Sequence, residues 1–215
     1  MSEKQRLNRK EIEELASNAL IASGALETSA KSLAKAVASA EMDGIKSHGL
    51  VYVPIYCEHL QCGKVVGSAV PRVERPAKGA VVVDACSGFA HPAIDAGFSE
   101  LVPAAKELGC AGMSIRNSYN CGVLGHHVER LAESGLVGIG FTNAPASIMP
   151  VGGNKTVIGT NPFALCTGGT RARIDHRSIR QCGCQKRNQD ARPGRKSNSR
   201  GLGSGPVRQS DHGPG

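Results

Sequence analysis

The chain has 215 residues, of which 40% are hydrophobic, 20% charged and 3% aromatic, with no tryptophan; this is enough apolar material for at least one buried core. Its net charge of +8 would suggest an anionic partner, but residues 1–170 carry 15 Lys/Arg and 15 Asp/Glu, and residues 171–215 carry 11 against 3. The excess belongs to a tail with no aromatic side chain to stack on bases, so no nucleic-acid partner is expected and a basic-tail nucleic-acid binder stands only as an alternative.

No run approaches the roughly 20 apolar residues of a membrane span. Residues 1–6 lead into a polar helix and not into an apolar signal core, so no membrane association and a cytoplasmic location are expected. The eight cysteines are then expected as free thiols. Cys182-Gly-Cys184 lacks the two-residue spacer of a zinc or redox pair, and Cys57 and Cys62 have no fitting second pair, so no metal site is expected.

Residues 9–22 place Ile12, Leu15, Ala16, Ala19 and Leu20 on one helical face, with Asn8 and Glu11 spaced as a capping box. Gly24 ends this helix. Residues 28–43 repeat the pattern with Leu33, Ala34, Val37, Ala38 and Met42, stopping before the glycine-flanked junction Gly44-Ile-Lys-Ser-His-Gly49. From Pro71 the texture changes: Ala80–Asp84 reads as a buried strand, 93–108 as a helix, Gly112–Arg116 as a strand, Val123–Ser134 as a helix and Leu136–Thr142 as a strand. Strands alternating with helices predict an α/β domain on a largely buried sheet, with ligands at the carboxyl ends of the strands. The loops 117–122 and 143–161 lie there. The second is rich in Gly, Pro and Asn, as a loop wrapping a ligand through its backbone would be. Neither it nor Gly122–Gly125 has the G-x-G-x-x-G spacing, so a dinucleotide site here would have a non-Rossmann architecture.

His48 is the leading candidate for chemistry. An imidazole at a glycine-flanked helix end can project into a cleft, and its titration range suits proton exchange with a hydroxyl or ketone. The alternative is a helix-end histidine without function. His126 and His127 are adjacent, so on a helix their side chains diverge by about 100° and cannot both face one substrate. Asn117, Ser118 and Asn120 offer neutral donors and acceptors for a carboxylate or carboxamide, or equally stabilise a turn. His91 and Asp95, at i and i+4, are spaced to pair structurally.

Four segments in register, Ala40 to Leu50, Arg116 to Gly122, Gly138 to Pro145 and Gly152 to Phe163, closely resemble the malate/L-lactate dehydrogenase family across nearly all of residues 8–167. The resemblance implies an α/β, non-Rossmann nicotinamide-binding fold in a cytoplasmic homodimer. It further implies hydride transfer between NAD or NADP and carbon 2 of a small 2-hydroxy or 2-oxo acid of the malate or lactate type. Ser47-His48-Gly49 matches the family's Ser-His-Gly, giving His48 the acid/base role and Ser47 a place beside the substrate. Asn143, Ala144, Gly159, Thr160 and Asn161 would line the cofactor cleft, and Asn117 the substrate. Tyr52 stands where many relatives have an arginine that grips the substrate carboxylate; a phenol offers one hydrogen bond and no charge. Asn120 matches the position of a second catalytic histidine in some members. Asparagine cannot exchange a proton, so His48 acts alone or His126 or His127 replaces that partner. The expected organisation is a helical segment 1–70 carrying the Ser-His-Gly motif, an incomplete cofactor and substrate domain 71–169, and a tail 170–215.

The tail departs from all of this. Residues 171–215 contain eight apolar residues and no aromatic, too few to offset their ordering entropy, so disorder is expected. Codons permitted for Asp175 through Arg195, read one nucleotide out of phase, can encode a strand-like segment similar to the family's continuation. A frameshift near residues 167–173 is the corresponding expectation, and an inactive fragment of such an enzyme is the alternative function.

Overall fold

The computed structural model describes residues 6–168, all within one unit, Met1–Arg180; the second unit, Gln181–Gly215, lies outside the described residues. The expectations of a disordered tail and a frameshift, and the Cys182–Cys184 pair, fall there as well.

Helix α1 (Arg9–Ala22) begins at the expected capping box: Asn8 Oδ1 accepts from Glu11 N at 3.0 Å, and Asn8 N donates to Glu11 Oε2 at 2.7 Å. Helix α2 (Glu27–Met42) packs against it. Ile12, Ala16, Leu20, Leu33, Val37 and Ala38 form their shared core. Leu15 and Met42, placed on those faces from the sequence, are instead 53% and 59% exposed, because each lies at the edge of its apolar stripe. Two short 3₁₀ turns, Lys46–His48 and Leu50–Tyr52, lead into α3 (Val53–Gln61), which the sequence did not announce. Its inward residues Val53, Tyr56 and Leu60 complete the first core.

Strands β1 (Arg72–Ala77) and β2 (Ala80–Asp84) pair antiparallel, and β2 pairs parallel with β3 (Gly112–Arg116) through the crossover helix α4 (Ala90–Leu108). After α5 (Leu124–Glu133), β4 (Val137–Phe141) pairs with β5 (Phe163–Thr167) in a separate antiparallel ribbon. The α/β class holds, but the single largely buried sheet does not. Val81 and Val83 are buried against α4 while alternate residues of β2 are not, and β1 is exposed throughout. One helical layer covers one face, so the strands alternate as half-buried strands do. β1 escaped a sequence reading because Arg72, Glu74 and Arg75 give it no apolar pattern.

Candidate active site

His48 ends the first 3₁₀ turn and is half-buried. The turn is built from helix α2 outward. Gly44, at φ +73°, reverses the chain after the α2 cap residue Asp43, a conformation that favours glycine. Ile45 N then bonds Ala40 O at 2.8 Å, and His48 N bonds Ile45 O at 3.0 Å. A Cβ on Gly49 would fall 2.3 Å from Glu41 Oε1, so a larger residue there would displace the Glu41 side chain. That carboxylate in turn accepts from Leu50 N at 2.8 Å. Ser47 Oγ lies 3.0 Å from His48 Nδ1. Burial first, and the charge of His126 second, hold the His48 imidazole below its usual pKa, so the ring is neutral near pH 7.

The Tyr52 ring runs parallel to that of His48, with centroids 6.5 Å apart. It also meets Tyr56 edge-on at 4.8 Å. Tyr56, fully buried, packs edge-on against Phe89 and Tyr119, and His59 Nδ1 meets the Tyr119 hydroxyl. Burial and neighbouring tyrosines push the Tyr56 and Tyr119 phenols up, so both stay protonated. This aromatic wall behind His48 was missed in the sequence, although the i,i+4 spacing of Tyr52 and Tyr56 on one helical face was a usable signal.

Asn117 and Asn120 serve their own loop. Asn117, at φ +52°, donates from Nδ2 to both Asp84 carboxylate oxygens at 3.1 Å, and its carbonyl accepts from Ser87 N at 2.8 Å. Asn120 Oδ1 accepts from Gly122 N at 2.7 Å. The pairing of His91 with Asp95 does not form. Asp95 accepts from Ser32 and bridges to Arg130 at 2.8 Å, while both His91 ring nitrogens are buried without a hydrogen-bond partner. Asp95 is drawn to Ser32 and Arg130, and the His91 ring lies against that of His127.

The segment 143–161 is a drawn-out hairpin end rather than an open loop. Ile148 bridges Ile158, and at the neck Ala144 N donates to Asn161 Oδ1 at 2.9 Å. A Cβ on Gly159 would fall 2.0 Å from Ala144 O, so the backbones meet directly there and leave a surface of small residues edged by Asn143 and Thr160. Asn143 and Thr160 offer neutral hydrogen-bonding groups of the kind a carboxamide takes.

A cleft of about 670 Å³ opens among α1, α2, α4 and α5, lined by Arg9, Lys35, Asp43, His91, His126 and Arg130 among others. In it His126 Nε2 lies 2.8 Å from Asp43 Oδ2. His127 Nε2 meets Cys121 O at 2.8 Å, so the two histidines diverge as their adjacency requires. Among the described residues no group of three or more His, Cys, Asp or Glu assembles with metal-binding geometry, and no helix is long and apolar enough to cross a membrane.

Residues 7–173 match the malate/L-lactate dehydrogenase family, and the chain belongs to that family. It is 45% identical over 159 residues to (2R)-3-sulfolactate dehydrogenase (NADP(+)) of Chromohalobacter salexigens, covering 74% of this chain and 47% of that protein. It is 42% identical over 140 residues to the Δ1-pyrroline-2-carboxylate/Δ1-piperideine-2-carboxylate reductase of Pseudomonas syringae pv. tomato, covering 65% and 40%. Among solved structures, Δ1-piperideine-2-carboxylate reductase from P. syringae matches with a TM-score of 0.75 at 36% identity, over 79% of this chain and 51% of that one. Malate dehydrogenase from Pyrococcus horikoshii matches with a TM-score of 0.71 at 26% identity, over 80% and 51%. The chain spans about half the length of the curated relatives it matches.

Proposed function

We propose that this chain carries the proton-exchanging half of a site that moves hydride between NAD or NADP and a small 2-hydroxy or 2-oxo acid. The observation that carries the reading is the His48 turn. A half-buried imidazole, neutral near pH 7 and held at Nδ1 by Ser47, presents Nε2 to a substrate oxygen. His48 takes the hydroxyl proton in oxidation and returns it to the carbonyl oxygen in reduction; bound nicotinamide supplies the hydride acceptor or donor. Asn143, Ala144, Gly159, Thr160 and Asn161 hold the nicotinamide end at the hairpin neck.

Tyr52 shields the imidazole from water and offers the substrate at most one hydrogen bond. Asn117 and Asn120 keep the 117–122 loop in shape and act on the substrate through that shape. Residues 1–70 bear the histidine and residues 71–169 the cofactor side, a division supported by two separate apolar clusters. Membership of the malate/L-lactate dehydrogenase family supports a substrate of the malate or lactate type. The relatives favour a second reading, reduction of a cyclic 2-imino acid, because a relative that matches in both sequence and solved structure is named as a pyrroline- and piperideine-2-carboxylate reductase. Both substrates place a polar double bond next to a carboxylate, so one proton donor serves either. A homodimeric, cytoplasmic enzyme is the accompanying proposal.

The test is a fluorescence titration with NADH and NADPH, followed by turnover of 2-oxo acids and cyclic imines. Saturable binding with a His48→Ala loss of at least about a hundredfold in kcat is expected. Absence of saturable binding, or near-normal turnover in that variant, overturns the reading.

A further inference from the structure

Helix α3 carries three rings on one face. Tyr52 at its N-cap, Tyr56 and His59 stand at i, i+4 and i+7, a spacing that lines side chains up along one side of a helix. The Tyr52 ring lies parallel to that of His48, and the Tyr56 ring meets both Tyr52 and Tyr119 edge-on. His59 bonds the Tyr119 hydroxyl through Nδ1 and meets that ring edge-on, with centroids 5.5 Å apart. Tyr119 sits in the 117–122 loop next to Asn120, so an unbroken row of ring contacts joins that loop to the acid/base turn. Toward the sheet the loop is tied by its backbone: Tyr119 N donates to Gly88 O at 2.9 Å, and Ser87 N donates to Asn117 O at 2.8 Å. Toward α3 it is held by the Tyr119 side chain.

The turn that ends α3 gives the His59 bond a direction. Gly63, at φ +74°, reverses the chain, and Val65 N returns to His59 O at 3.0 Å. This brings Lys64 Nζ to 3.4 Å from His59 Nε2. An ammonium has no acceptor, so Nε2 accepts from it, and the ring carries its hydrogen on Nδ1, which donates to Tyr119 Oη.

We propose that His59 and Tyr119 form a clamp that fixes the 117–122 loop relative to the His48 turn, with His59 as a positioning residue for the substrate end of the site and Lys64 selecting its tautomer. The inference rests on the reading of that loop and His48 as two sides of one substrate site. Packing alone would not need the hydroxyl, because the Tyr119 ring already meets Tyr56 and Phe89 at 6.0 Å each and a phenylalanine ring could do the same. The hydroxyl adds a directed bond, and it acts on the residue next to Asn120, whose side chain closes the loop on Gly122 N.

Three variants isolate the bond in the full chain. Tyr119→Phe keeps the ring and removes the hydroxyl, His59→Leu removes the donor, and His59→Asn keeps a donor close to the position of Nδ1. Amide hydrogen exchange at Ser87, Gly122 and position 119 should be roughly five- to tenfold faster in Tyr119→Phe and His59→Leu, as for the loss of one hydrogen bond. His59→Asn should restore most of the protection. Nitrogen NMR of the imidazoles at mildly alkaline pH should find His59 protonated on Nδ1 in the parent and moved toward the Nε2–H form in Lys64→Met. In turnover, Tyr119→Phe should raise KM for the 2-oxo acid about fivefold and change kcat less than about twofold, since His48 is untouched. Equal exchange rates in parent and Tyr119→Phe, an Nε2–H imidazole at His59 in the parent, or faster exchange with an unmoved KM each overturn the proposal. A parent without turnover defeats the proposed function instead, and the exchange rates then decide the clamp by themselves.

Discussion

His91 enters the first turn of α4 with 3% of its surface exposed and neither ring nitrogen bonded, beside His127 at 5.5 Å between centroids. Burial above all, then the nearby His127, Arg130 and His126, pushes its pKa down from 6.5 to about 3. The consequence for stability has a definite sign. Between pH 6.5 and about 3 the unfolded chain binds this proton and the folded chain does not, so the folded state is favoured fully above pH 6.5 and loses ground as the pH falls. A shift of this size corresponds to a few kcal/mol, on the order of 5. His91→Leu removes both the titration and the orphaned nitrogens at similar volume. Melting temperatures measured at pH 7.5 and pH 5 should therefore converge in the variant and differ in the parent. A parent equally stable at both pH values would show that His91 is not held neutral.

At the scale of elements, glycine positions separate close packing from mere loop chemistry. Strand β4 lies directly on α5, and a Cβ on Gly138 would fall 2.5 Å from Val128 O, a backbone atom that cannot swing aside. Gly125, in the first turn of α5, has nothing within 4 Å of its Cβ position. Gly138→Ala should cost roughly 1–3 kcal/mol by overpacking, and Gly125→Ala should gain up to about 1 kcal/mol from lost unfolded-state entropy. Chemical denaturation distinguishes the two, and a harmless Gly138→Ala would contradict this packing. Much of this level was legible in the sequence. Helices α1, α2, α4 and α5 and strands β2, β3 and β4 announce themselves by apolar period and by end signals such as Asn8, Glu11 and Gly109. Helix α3 did not, since nine residues with three inward positions carry little periodicity. Strand β5 has no such signal, and its partner β4 lies roughly 22 to 30 residues back across the hairpin. The site divides in the same way. His48 stands in a local motif, whereas the contact of Asp43 with His126 is tertiary, and the sequence marked it only by an acidic residue at the wrong end of a helix.

For the whole described unit, the β4–β5 ribbon inverts the usual arrangement. Gly138 and Gly140 face α5, and the large residues Val137, Ile139 and Phe141 point away from it, with Phe141 75% exposed. Leu165 of β5, opposite Ile139 in the register, is 55% exposed on the same ribbon. Small residues on the inner side let strand and helix approach closely; the large apolar residues on the outer side, apart from the contact of Phe141 with Phe163, are left mostly exposed as an apolar face. Threonine keeps the β-branching that suits a strand while removing apolar surface. The double variant Ile139→Thr/Phe141→Thr should therefore bind less of a hydrophobic dye such as ANS and keep its melting temperature within a few degrees. A fall of about 8 °C or more, corresponding to a loss of roughly 2–4 kcal/mol in a protein of this size, would mean that the face is covered in the intact protein, by residues outside the described ones or by a second copy. Sedimentation velocity on parent and variant then separates those two, because only a cover supplied by a second copy makes the loss of stability accompany a shift toward monomer.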